Sequence, residues 1–226
     1  MRILIYGAGA LGQAVGCMLA AGGNRVDLIL RERFRQAIRK DGLAVTGIFG
    51  EYRVASEAIG LYTDIENVLE KSYDFGVITT KSYDTAVAVA DLGRIVSQIF
   101  TAVSMQNGCG NLELIVDHFG LNRSLGARVI TGFEITHPGL VKITVTADHI
   151  HIGGYQEGEI SPAAQQLATA INDAGLPCLA TGFVRRDLVC QTSLQQRPES
   201  PGRNPRGALR RLGRRSGHQA DNGPGH

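Results

Sequence analysis

The sequence predicts an α/β fold built on a doubly wound, mostly parallel sheet, and three observations carry that expectation. An apolar run, Arg2 to Tyr6, ends in a glycine-rich turn and passes into a helical pattern. A second apolar run, Val26 to Leu30, closes a strand-helix-strand unit within about 30 residues. Short strand-like runs then alternate with helical stretches, the pattern of parallel strands covered on both faces.

The turn reads Gly7-Ala8-Gly9-Ala10-Leu11-Gly12, and Val15, Cys17, Met18, Leu19 and Ala20 continue it with helical rather than alternating spacing. Gly22-Gly23-Asn24 breaks the chain before the second strand, which ends in Arg31-Glu32-Arg33, and a short helix is expected from Phe34 to Lys40. Further strands are expected at 43–47, 52–55, 74–79 and 99–105, with helices at 64–71, 84–98 and 110–119. From residue 126 two β-rich runs meet at His137-Pro138-Gly139, where proline and glycine supply turn geometry. This pair is expected to extend the sheet as a hairpin. Ser161 and Pro162 suit the N-cap and first position of a helix over 161–174, and a last short strand is expected at 176–180. Arg185-Arg186-Asp187-Leu188 reads as the opening of another helix. Residues 1–183 are therefore expected to form one Rossmann-type domain, and 184–226 the start of a helical domain followed by a tail of different character.

With 226 residues, 43% hydrophobic and 19% charged, the chain has the composition of a globular protein. Apolar runs are interrupted well before the ~20 residues a membrane span needs, and the N-terminus enters a strand rather than a leader, so a cytoplasmic protein with no membrane partner is expected. Cys17, Cys109, Cys178 and Cys190 lie far apart without a C-x-x-C pair, which suggests neither a zinc knuckle nor a disulfide framework. The net charge of +2 is unevenly spread: residues 189–226 hold seven arginines against Glu199 and Asp221, giving +5 there and −3 over 1–188.

A glycine triplet of this spacing is a weak signal alone, and gains value here because a strand precedes it, a helix follows and a second strand comes at the right distance. Gly7 permits a tight turn, Gly9 lets the backbone approach a pyrophosphate, and Gly12 allows close helix–strand packing. The helix N-terminus offers unpaired N–H groups to phosphate. At the end of the second strand an acidic residue would accept the ribose 2′-OH of NAD, whereas arginine pairs with the 2′-phosphate of NADP. Arg31 comes first there, and Glu32 also suits a helix start, so NADPH is the expected cofactor. His149 and His151 could begin a metal site, but no third ligand is evident and an exposed strand face is the expected reading.

The start MRILIYGAGALG, Arg31 closing the second strand, Thr80-Lys81-Ser82-Tyr83-Asp84-Thr85 after the 74–79 strand and Gln106-Asn107-Gly108 after the 99–105 strand together resemble the ketopantoate reductase (2-dehydropantoate 2-reductase) family across residues 1–188. The resemblance implies an NADPH-dependent reduction of a small 2-oxo acid, ketopantoate to pantoate, in pantothenate biosynthesis. On their own, Lys81 reads as a solvated loop lysine and Asn107 as a turn residue. The resemblance instead puts both at the nicotinamide side of the cofactor, with Asn107 also reaching the substrate. It further implies that the His137 loop lies close to the nicotinamide and that Glu134 is a cofactor contact.

The same resemblance implies a helical second domain whose first long helix carries a catalytic lysine and two substrate asparagines at four-residue intervals. Residues 189–226 contain no lysine and no aromatic, and Pro198, Pro201 and Pro205 forbid a continuous helix. We expect this tail to be read out of frame from near Val189. Combining the last two bases of each codon with the first of the next, Val189 to Arg206 can be back-translated so that the shifted frame spells CAKLLYNSALNPLGAILG. The slots of Gln191, Gln195 and Glu199 then become lysine, asparagine and asparagine. In the chain as it stands, Gln191 occupies the catalytic lysine position. An arginine-rich arm for nucleic acid is the competing reading, disfavoured because the tail lacks interleaved aromatics and lysines.

Overall fold

The computed structural model describes residues 1–69, 71–95 and 100–184. Strand β1 (Arg2–Tyr6), helix α1 (Ala10–Ala21), β2 (Arg25–Ile29) and α2 (Glu32–Asp41) follow the expected order. They continue into β3 (Leu43–Gly47), β4 (Tyr52–Val54), β5 (Ile59–Tyr62), β6 (Phe75–Ile78), α3 (Thr85–Gly93), β7 (Thr101–Ser104) and α4 (Asn111–Phe119). Last come β8 (Ser124–Arg128), β9 (Thr131–His137), β10 (Leu140–Thr146), β11 (Ile150–Gly153), α5 (Pro162–Asp173) and β12 (Cys178–Thr181).

Eight strands form the main sheet in the order β12-β11-β8-β7-β6-β1-β2-β5. From β5 to β8 every pairing is parallel; β11 runs antiparallel to β8, and β12 parallel to β11. The parallel part is therefore the doubly wound order in which the chain reverses direction across the sheet between β1 and β6. At such a reversal the connections leave toward opposite faces and open a crevice at the carboxyl ends of the strands.

Its third strand, β5, is one that sequence patterning did not single out. Ile59 and Leu61 are buried, but Gly60 between them weakens the strand signal. The glycine is required because a Cβ at Gly60 would lie 1.9 Å from Asp27 Oδ1 on β2. Asp27 is itself buried, and its Oδ2 accepts from Tyr73 Oη at 2.6 Å and pairs with Arg2 and Lys71 at 3.3 and 3.4 Å. A carboxylate so compensated can stay inside the fold.

Two further expectations are corrected. The runs at 43–47 and 52–55 and the hairpin around His137-Pro138-Gly139 do not extend the main sheet; they build a second sheet, ordered β4-β3-β10-β9. Its spine is the parallel pairing of β3 with β10, two segments far apart in sequence, so no local pattern could reveal it. Helix α1 explains why the second sheet forms. Gly16 faces Leu28, Ile5 and Val26 of the main sheet, while Cys17 Sγ reaches the Leu43 and Tyr52 carbonyls of the second. A helix buried from Gly12 to Leu19 has no solvent side, and Leu43, Val45, Val141 and Ile143 close over the face the main sheet leaves bare.

The helix expected at 64–71 is a single 3-10 turn, Ile65–Val68, and the one at 84–98 is α3, ending at Gly93. Helix α5 starts as read: Ser161 Oγ accepts from Ala164 N at 3.2 Å and Pro162 holds the first position. Residues 185–226, and with them Gln191 and the tail, lie outside the described residues. Among the described residues no helix is long and apolar enough to cross a membrane.

Candidate functional site

The glycine turn leaves the end of β1 at the point where the sheet reverses. Gly7 has φ +92°, a left-handed conformation that glycine adopts without cost. Its N–H and that of Ala8 both donate to the Ile29 carbonyl at 3.0 Å, tying the turn to the end of β2. A Cβ at Gly7 would lie 2.3 Å from Thr80 Cγ2, and one at Gly12 would lie 2.5 Å from Thr79 Oγ1 and 3.2 Å from Ile5 Cγ2. Both glycines are thus demanded by the protein's own packing. Gly9 differs. Its backbone is extended at φ −76°, and a Cβ there would meet nothing nearer than the Gly7 carbonyl at 3.9 Å. No side chain caps α1, so the N–H groups of Ala10, Leu11 and Gly12 have no intrahelical partner. The turn therefore presents bare backbone donors beside a position where a side chain would intrude on a bound group rather than on the fold, which fits a phosphate.

Arg31 N-caps α2 at the end of β2, with its side chain exposed and, among the described residues, without a hydrogen-bond or ion-pair partner. Glu32 is engaged within the helix: its carboxylate pairs with Arg35 at 2.7 Å and accepts from Gln36 Nε2 at 3.1 Å. The Arg35 guanidinium holds the Glu32 carboxyl below the usual range. Arg33 stacks over the Phe34 ring, 4.7 Å from its centroid.

The loops after β6 and β7 supply the other side of the crevice. Lys81 and Asn107 are both exposed there, and Ser82 Oγ donates to the Asn107 carbonyl at 3.4 Å, joining the two loops. Beneath them lie buried polar side chains that sequence reading did not rank as site residues: Gln106, Thr85 and Asn111. Gln106 stood within a quoted motif, but nothing in one dimension ties it to the first residues of α3 and α4.

Glu134 is exposed on β9 of the second sheet, opposite Lys142. The His137 turn is placed differently from what the resemblance implied. Its Gly139 carbonyl accepts from Ala44 N at 2.8 Å and its Cα side packs on Ile38, at the end of α2 remote from Arg31. A strand of seven residues, about 20 Å long, separates His137 from the start of β9, where the chain leaves the rim. His149 and His151 both flank Asp148, at 3.6 and 3.7 Å, and Asp148 also pairs with Arg128. Among the described residues no three His, Cys, Asp or Glu side chains are placed to hold a metal.

The family model described as ketopantoate reductase PanE/ApbA matches residues 3–157, more than half of the chain. The chain belongs to the ketopantoate reductase family. It is 32% identical over 178 residues to the 2-dehydropantoate 2-reductase of Aquifex aeolicus, covering 78% of this chain and 54% of that protein. With the Pyrococcus abyssi enzyme of the same name it shares 34% over 176 residues, 78% of this chain and 55% of that one. Among solved structures, 2-dehydropantoate 2-reductase from Geobacter metallireducens superposes with a TM-score of 0.73 at 27% identity, over 82% of this chain and 60% of that one. A D-mandelate dehydrogenase solved with NADH and anilino(oxo)acetate superposes at 0.74, but at 21% identity, which speaks for the fold alone. This ketopantoate reductase family member spans about half the length of the curated relatives it matches.

The thiols give the rim a chemical handle. Burial pushes Cys17 and Cys178 up to about 12, whereas Cys109 is exposed in the loop between Asn107 and Asn111. At pH 8 iodoacetamide should label Cys109 in the folded chain and leave Cys17 and Cys178 unmodified until denaturant is added, as peptide mass spectrometry reads. Labelling of Cys17 in the folded chain would mean that α1 is not enclosed between two sheets.

Proposed function

We propose that this chain binds NADPH along the carboxyl edge of the main sheet. The pyrophosphate lies on the backbone of Gly7, Ala8, Gly9, Ala10, Leu11 and Gly12, and the 2′-phosphate on Arg31. Lys81 and Asn107 stand at the nicotinamide end, Asn107 also reaching the 2-oxo acid, and Glu134 flanks the cofactor. The reaction we assign to the intact fold is reduction of 2-dehydropantoate to pantoate in pantothenate biosynthesis. Bound NADPH supplies the hydride that adds to C2 of the oxo acid. The chain's own part is to orient: the α1 N-terminus neutralises phosphate charge, and Lys81 and Asn107 hold the nicotinamide half against the substrate.

The observation that carries this reading is the contrast among the three glycines. Gly7 and Gly12 answer to the fold, while Gly9 answers to nothing in it. Gly9→Ala should therefore leave the melting temperature of the cofactor-free chain within about 2 °C of the parent, a ΔΔG below about 0.5 kcal/mol. The same change should weaken NADPH binding about ten-fold, measured by calorimetric titration. An alanine variant that binds NADPH as tightly as the parent would end the reading.

Gln191 favours a second reading of this particular chain, as a holder of NADPH that does not turn over. In the family pattern its slot carries the lysine that donates a proton as the carbonyl oxygen takes up charge, and glutamine has no ionisable proton to give.

A further inference from the structure

We infer that Gln106 is a positioning residue: its buried carboxamide, relayed through Thr85 and Asn111, locks the loops after β6 and β7 together and so sets where Lys81 and Asn107 present themselves to the nicotinamide half of the cofactor. The inference rests on the cofactor site proposed above.

The backbone ladder between β6 and β7 reaches its last rung at the bond from Met105 N to the Ile78 carbonyl, 2.9 Å long. Beyond that rung the two loops are joined through side chains, and Gln106 begins the connection. Its Nε2 lies 2.8 Å from Thr85 Oγ1, 3.1 Å from the Thr80 carbonyl, 3.2 Å from Thr80 Oγ1 and 3.4 Å from the Lys81 carbonyl. Two carbonyls face this nitrogen, which fixes the orientation of the amide, since the flipped group would set oxygen against oxygen. At its other end Oε1 accepts from Ser104 Oγ at 3.2 Å, anchoring the side chain to β7.

Thr85 carries the connection onward. Its hydroxyl accepts from Gln106 and reaches Asn111 Oδ1 at 2.8 Å. Asn111 Nδ2 then donates to Ser82 Oγ at 3.1 Å and to the Asn107 carbonyl at 3.2 Å. Each loop is thereby bonded to the other at the residues flanking Lys81 and at Asn107 itself. Gln106, Thr85 and Asn111 are only 5%, 0% and 3% exposed. Water cannot replace a missing partner at such depth, so removal of one group leaves the others unsatisfied. The two exposed side chains at the rim thus depend on three that no ligand would touch.

The test uses the chain as it exists, with Thr85→Val, which deletes the central hydroxyl at constant volume, and Gln106→Glu, which deletes the amide donor. Two probes separate positioning from general damage: NADPH, and 2′-phospho-ADP-ribose, which lacks the nicotinamide and meets only the glycine turn and Arg31. Both variants should bind NADPH about ten-fold more weakly and the truncated probe within two-fold of the parent. Hydrogen exchange without any ligand should speed up in residues 80–85 and 107–111 together, and not in β1 or α1. Equal losses for the two probes would assign Gln106 to stability alone, and unchanged NADPH affinity would overturn the clamp while leaving the cofactor site standing. Should the parent chain bind neither probe while exchange in the variants still rises in both loops, the cofactor site falls and the link between the loops survives, without its role in presenting Lys81 and Asn107.

Discussion

This chain should bind NADPH more tightly than NADH, and Arg31→Ala should erase most of that difference, a change of about 10- to 150-fold in relative affinity. The size follows from the loss of a charge-assisted contact to the 2′-phosphate, worth about 1.5–3 kcal/mol. Position and availability both select Arg31. It caps α2 where β2 ends, the point at which a dinucleotide's adenosine ribose meets a sheet of this order. Of the charged residues Arg31, Glu32 and Arg33, Arg33 lies over Phe34 and Glu32 is held by Arg35 and Gln36. Glu32 is the residue that would favour NADH, and to reach a ribose it would have to abandon both partners. Glu32→Gln should accordingly leave the ratio of the two affinities within about two-fold, a difference of roughly 0.4 kcal/mol. Calorimetric titration of parent and variants with each cofactor decides the matter. Equal affinities in the parent would mean that Arg31 reads nothing, and an unchanged ratio in Arg31→Ala would move the 2′-phosphate elsewhere.

How much of this was legible in the sequence depends on the range over which each feature is encoded. The β1, turn, α1 and β2 unit is written locally, because strand length, glycine spacing and helical periodicity all lie within one stretch. The same holds for α5, whose cap is formed by Ser161, three residues from its partner amide. The second sheet is not local. Leu43 to Gly47 and Leu140 to Thr146 each look like any half-buried strand, and only the uncovered side of α1 determines that they pair with each other. Strand β5 was missed because Gly60, required by the Asp27 carboxylate beneath it, erases its alternation.

The site divides along the same line. Gly7, Gly9 and Gly12 could be named because each has a distinct steric reason to lack a side chain, and Arg31 because strand ends face ligands in such sheets. Gln106, Thr85 and Asn111 could not, since each is an ordinary polar residue whose meaning is the bond it makes to the other two. The His137 turn shows the opposite hazard. Its neighbourhood was expected at the nicotinamide, but β9 runs on through seven residues to His137, and the turn packs its Gly139 on Ile38 near the C-terminal end of α2.

Assayed with NADPH and 2-dehydropantoate, this chain should oxidise cofactor at or near background, whereas a chain restored to the alternative frame from Val189 onward should turn over. Two losses combine in the prediction. The lysine slot holds Gln191, and removal of a general acid costs about 10²–10⁴-fold. The two asparagine slots hold Gln195 and Glu199, in a stretch whose prolines forbid the helix that would carry the family's substrate-holding residues, so that hold on the oxo acid is lost as well. Weaker holding of the substrate also forfeits part of the rate that comes from fixing its carbonyl against the nicotinamide. These residues lie outside the described part of the chain. Three proteins test it: the chain as given, the frame-restored chain, and the frame-restored chain with its recovered helix lysine changed to alanine. The second should be active, the third should fall by about 10²–10⁴-fold relative to it, and the first should be no faster than the third. If the first two bind NADPH alike and differ only in turnover, the cofactor domain works and the defect lies after Val189. Saturable turnover by the chain as given would instead demand a proton donor among residues 1–188, with Lys81 the group at the crevice to substitute first.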